Sequence, residues 1–145
     1  MEGDTGERFE WIRKSRSTPG TFYDFLGMKL EELRKGYSRF RLHADGRLHN
    51  AGGVVHGGVM ASLADAAVAA ALATLVDPER ESIYTLEMKI NYLAPAVEGD
   101  LLGEARIVQR GGTVAVGEAR IQDGKGRQLA LATATFLIRK SEKGD

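Results

Sequence analysis

Apolar positions along this chain change their period twice. Ser38, Phe40 and Leu42 alternate with Arg39 and Arg41, the period-two pattern of a half-buried strand. Residues 28–34 and 37–43 read as two such strands around Lys35-Gly36. From about Gly57 to Val76 the alternation gives way to an unbroken alanine-rich run, the pattern of a buried helix, which Asp77-Pro78 stops. Alternation then returns over 82–93, with Leu86, Met88, Ile90 and Tyr92 against Glu87, Lys89 and Asn91. On that reading Thr85 sides with Glu87 and Lys89, away from the apolar face. Strands are also expected over 100–109, 113–122 and 128–138, separated by the hairpin signals Gly111-Gly112 and Gly124-Lys125-Gly126. Residues 5–17 predict a short helix ended by Thr18-Pro19-Gly20, and 21–26 another helical turn.

The last three strands carry small residues on one face: Gly103 and Ala105, then Ala115, Gly117 and Ala119, then Ala130, Ala132 and Ala134. An alanine-rich helix with no bulk of its own matches such a surface. An α+β fold follows, a curved antiparallel sheet wrapped around one long central helix, with a flat two-layer sandwich as the alternative. Residues 1–20 are expected to be an N-terminal helical extension, 21–140 a single domain and 141–145 a polar tail.

Composition narrows the function. The 145 residues balance 20 basic against 20 acidic side chains, which argues against a nucleic-acid binder. There is no cysteine, so thiolate nucleophiles, disulfides and thiolate metal sites are excluded. The segment MEGDTGERFEWIRK lacks the apolar core of a secretion signal, and a cytoplasmic location is expected. No Lys or Arg occurs from Leu48 to Glu79, yet His56, Ser62, Asp65 and Thr74 interrupt the apolar run, so a buried helix is expected rather than a membrane span.

Candidate chemistry concentrates in HNAGGVVHGGVMASLAD, residues 49–65. Glycines at 52, 53, 57 and 58 open the long helix, where unpaired N–H groups and the positive end of the helix dipole suit a carbonyl oxygen that becomes negative during reaction. Asp65 is a lone acid among Ala61, Ala64, Ala66 and Ala69. His43, His49 and His56 lack the carboxylate or thiolate that would complete a zinc spacing.

The order HN, two residues, Gly, two residues, HGG, six residues and Asp, followed by TLEMKINYLAPA, resembles the PaaI-like acyl-CoA thioesterases of the hotdog fold. The resemblance runs from about residue 22 to residue 138. It implies hydrolysis of acyl-CoA to a free acid and coenzyme A without cofactor or metal, by a homodimer or homotetramer. It further implies Asp65 as general base or nucleophile, Asn50 as the amide that polarises the carbonyl, Gly57 as the backbone oxyanion donor, and Thr85 as the hydroxyl that orients water.

Each assignment has a structural alternative. Asp65 could be a solvated or interface-paired acid, Asn50 an Asx-turn residue, and Gly57 a packing glycine. His56 either bonds the substrate or fixes the helix entry. His49 and Gly58 are candidate substrate-binding residues, with His49 also shaping the loop. For the coenzyme A phosphates Arg110, flanked by Gly111 and Gly112, leads over Arg106, Lys125 and Arg127. A non-catalytic acyl-CoA-binding module is the alternative function. Helix rise adds one constraint. Asp65 follows Gly57 by eight residues, about 12 Å along the axis at ~1.5 Å per residue. If both act on one thioester, they come from different subunits, as a two-fold dimer with antiparallel helices allows.

Overall fold

A computed structural model describes residues 5–142. Two short helices, α1 (Thr5–Ser15) and α2 (Phe22–Leu26), precede the hairpin β1 (Lys29–Arg34) and β2 (Tyr37–Ala44). The long helix α3 (Gly57–Ala73) follows, then β3 (Glu81–Tyr92), β4 (Gly99–Arg110), β5 (Val114–Asp123) and β6 (Gln128–Lys140). The expected tail begins at Ser141, and residues 1–4 and 143–145 lie outside the described part.

The six strands form one antiparallel sheet in the order β1-β2-β4-β5-β6-β3. The chain crosses from β2 over α3 to the opposite edge and lays down β3 there. The meander β4-β5-β6 then fills the gap. α3 contacts all six strands, and its buried side chains (Leu63, Ala64, Ala67 and Leu72 among them) form the centre of the core. The Ser38 hydroxyl, fully buried, donates to the Ala67 carbonyl at 2.6 Å. Ile12 pins α1 to the same core.

The small sheet face does what its composition implied. A Cβ placed on Gly103 would lie 2.7 Å from Leu63 Cγ, and one on Gly117 2.6 Å from Val68 Cγ1. The helix therefore sits closer to the sheet than any larger side chain at these positions permits.

Two local expectations change. α3 ends at Ala73 rather than Val76. Thr74 caps it: its hydroxyl donates back to the Ala71 carbonyl and accepts the Gly36 N–H, while Arg8 takes the Thr74 carbonyl. Strict alternation also fails in β3. Leu86 is an extra residue against β6, with Thr85 opposite Phe136 and Glu87 opposite Thr135. This bulge inverts the facing of everything before it. Thr85 therefore faces α3, opposite buried Phe136, and Leu86 is exposed.

Candidate active site

The loop before α3 is closed by its own backbone. Asn50 N–H donates to the Val54 carbonyl at 2.7 Å, His56 N–H to Leu48 at 2.9 Å, and Val55 N–H to Ala96 at 2.8 Å. The His49 ring, at 2.5 Å from the Val97 carbonyl, ties the loop to the segment after β3. His49 thus has a shaping role in this structure.

Asn50 is an Asx-turn residue in this structure. Its Oδ1 accepts N–H groups from Gly52 at 2.8 Å and Val54 at 3.3 Å, an Asx-type turn. Two backbone donors on Oδ1 leave the exposed amide nitrogen directed elsewhere, with its N–H groups available to a ligand. His56 is similar. It is the N-cap of α3, and its Nδ1 accepts the Gly58 N–H at 2.8 Å. That bond needs a lone pair on Nδ1, so the neutral ring carries its proton on Nε2 and can donate outward. Gly58 is committed to this cap. Gly57, at the first helical position, has an N–H with no intrahelical partner.

Asp65 lies two turns further along, half-buried, and its Oδ1 accepts the Thr85 hydroxyl at 2.7 Å. Among the described residues no Lys, Arg or His forms an ion pair with it. Thr85 and Asp65 therefore come together in one chain. Asn50, His56 and Gly57 lie in the loop and at the first position of α3, and Gly57 is about 12 Å from Asp65 along the helix axis.

Arg110, Gly111 and Gly112 lie elsewhere. Arg110 donates to the Leu75 carbonyl just past α3 and forks onto both carboxylate oxygens of Glu81 at 2.7 and 2.8 Å. Gly57 to Ala73 spans about 24 Å, so this cluster sits at the far end of the helix from the loop that precedes α3 in the same chain. Burial alone would raise the Glu81 pKa, but the Asp77 N–H and Arg110 outweigh it and hold the carboxyl below its usual value. Gly111 has a steric reason of its own, since a Cβ there would lie 2.8 Å from the Val114 carbonyl oxygen. Of the other cations, Arg106 lies beside the Tyr37 ring, and Arg127 pairs with Asp123 and donates to the Pro95 carbonyl.

The three histidines have separate partners. His43 bonds Asp100 at 2.9 Å, and this contact together with Arg41 lowers the Asp100 pKa.

One residue at the site was not legible beforehand. Tyr92 donates its hydroxyl to the Gly57 carbonyl at 2.8 Å. With Val54, Val55, Met60 and Leu93 it lines an apolar groove of about 350 Å³ beside Gly57. Sequence alternation put Tyr92 on the inner face but could not name its partner, 35 residues away.

Residues 52–130 match the family model of the thioesterase superfamily. An esterase candidate of Saccharolobus solfataricus, SSO1253, is 35% identical over 80% of this chain and 76% of its own length. A 1,4-dihydroxy-2-naphthoyl-CoA hydrolase of Listeria monocytogenes is 27% identical over 81% of this chain and 95% of its own. Among solved structures, a mutant of the thioesterase PA1618 from Pseudomonas aeruginosa superposes with a TM-score of 0.84 at 24% identity, covering 92% of this chain and 94% of that one. The E. coli PaaI protein superposes with a TM-score of 0.82 at 18% identity, covering 92% and 95%. The six-stranded sheet around α3 is the hotdog fold of these neighbours, and the chain belongs to the thioesterase superfamily, a family of thioester hydrolases.

Proposed function

We propose that this protein hydrolyses acyl-CoA thioesters to a free acid and coenzyme A at two equivalent sites, each shared between two subunits. The observation that carries the proposal is Asp65: a half-buried carboxylate, without a cation among the described residues, held by one hydroxyl. Such a group accepts a proton from water or attacks a carbonyl carbon itself. In the first route Asp65 takes a proton from water as the oxygen adds to the thioester carbon, and Thr85 fixes the carboxylate. In the second an enzyme-bound anhydride forms, which water then opens. Either way the carbonyl oxygen becomes an oxyanion, for which the Gly57 N–H, the Asn50 amide and His56 Nε2–H are the donors. Collapse breaks the C–S bond and releases coenzyme A as thiolate, which takes up a proton.

The pairing of subunits has support in β3. This strand is an edge of 12 residues with Tyr84 and Leu86 exposed, a long apolar edge of the kind that proteins cover. Antiparallel pairing of two β3 strands, with the two-fold axis between Thr85 and Tyr92, brings Asp65 of one chain towards the start of the other chain's α3. The relative named as a naphthoyl-CoA hydrolase and the apolar groove beside Gly57 support an aryl or short-to-medium acyl group.

Thiol release measured across a panel of aryl- and alkanoyl-CoA esters tests the proposal. Wild type should turn over at least one class, and Asp65→Asn should lose about 10²–10⁴-fold in kcat. Tight acyl-CoA binding with no thiol release, or an Asp65→Asn variant at wild-type rate, would overturn it in favour of a binding module.

A further inference from the structure

Glycine at position 57 is not explained by its backbone, because no positive φ occurs there. Its explanation is Tyr92. A Cβ on Gly57 would meet Cζ, Oη and Cε1 of the Tyr92 ring at 3.1 to 3.2 Å, tighter than nearly all contacts of real side chains. The bare Cα lets the ring lie against the first turn of α3, and from there the hydroxyl reaches the Gly57 carbonyl at 2.8 Å.

The ring is itself rigidly based. Tyr92 is the last residue of β3 and pairs with Ala130, and the next two N–H groups, of Leu93 and Ala94, both bond the Leu129 carbonyl. A tyrosine that merely filled core space would be buried. Tyr92 is 51% exposed, and its free surface lines the groove at the helix start. The first turn of α3 is thus gripped at two points, by the His56 cap on the Gly58 N–H and by Tyr92 on the Gly57 carbonyl.

We infer that Tyr92 is a positioning residue: it holds the helix start so that the Gly57 N–H, without a partner among the described residues, points at the thioester carbonyl oxygen. The inference rests on the hydrolase reading above. Donors aimed at developing charge act in the transition state more than in the ground state, so loosening this turn lowers kcat and leaves substrate binding nearly unchanged.

Tyr92→Phe keeps the ring and removes only the hydroxyl. Outright loss of an oxyanion donor costs on the order of 10²–10³ in kcat, and a loosened donor is expected to cost less, about tenfold. The expected result with the best substrate of the panel is therefore a kcat about tenfold lower at a KM within about twofold of wild type. A second readout does not depend on turnover. Amide hydrogen exchange at Val59 and Met60, in the first turn, should accelerate in Tyr92→Phe, while that of Leu72 near the helix end should not. An active wild type with an equally active Tyr92→Phe overturns the inference alone. Lower kcat with unchanged exchange at Val59 and Met60 also overturns it, since the hydroxyl would then act on substrate directly. A wild type that releases no thiol overturns the hydrolase reading, and this inference with it.

Discussion

Mixing subunits that carry Asn50→Ala with subunits that carry Asp65→Ala is predicted to restore activity that neither homodimer has. The reason is distance. Reacting atoms must approach to about 3–3.5 Å, whereas eight residues of helix separate Gly57 and Asp65 by about 12 Å along the axis. Thr85 anchors the Asp65 carboxylate to β3 at 2.7 Å, so the side chain is not free to fold back along the helix. In a shared-site dimer the mixed species has one site with both defects and one with neither. Random exchange of equal amounts makes about half of the dimers mixed, so about one quarter of all sites become intact. Each parent should lie on the order of a hundredfold or more below wild type, and the mixture should rise to about 25% of wild-type thiol release. Subunit exchange is verified by native mass spectrometry with one partner tagged. Activity that stays at parental level despite verified exchange refutes the reasoning, because the two residues would then serve one chain's site.

Two further predictions concern the scaffold. Gly103→Ala forces a methyl group to within 2.7 Å of Leu63 Cγ and 3.1 Å of Ile121 Cδ1. Overpacking of this kind costs about 1–3 kcal/mol, a fall of roughly 3–10 °C in the thermal midpoint for a domain of this size. An unchanged midpoint would contradict the close helix–sheet approach. Glu81 contributes stability with a pH signature. Its carboxyl is held below the ordinary glutamate value of 4.5, burial being outweighed by the Asp77 N–H and Arg110. A depressed native pKa stabilises the fold above the unfolded value and loses that contribution as pH falls through the native value. Glu81→Gln should therefore be less stable than wild type at neutral pH, by about 1–3 kcal/mol, since the side chain is only 11% exposed. The gap should narrow in thermal melts as pH falls below the ordinary glutamate value of about 4.5. A gap independent of pH would show that the charge contributes nothing.

Much of the fold is legible in the chain because hydrophobic period is a local property. Alternating positions and paired glycines marked every strand to within three residues, and the small faces of β4, β5 and β6 anticipated the approach of α3 at Gly103 and Gly117. The separation of Gly57 from Asp65 was equally accessible, since helix rise is set by covalent geometry and backbone hydrogen bonding. What tertiary structure alone decided concerns partners far apart in sequence. A single unpaired residue, Leu86, turned Thr85 towards Asp65, and no Gly or Pro announced that bulge. Arg110 met Glu81 from 29 residues away, and Tyr92 met Gly57 from 35. At Asn50 and His56 the residue type permitted either a structural or a ligand-directed role. In the folded loop Asn50 Oδ1 and His56 Nδ1 are engaged by backbone N–H groups, while both side chains stay exposed. The chain by itself therefore determined which elements form and which residues cluster at the helix start. Only the packed sheet decided which side-chain atom is engaged and which is left to act, because that depends on where distant strands bring their donors and acceptors.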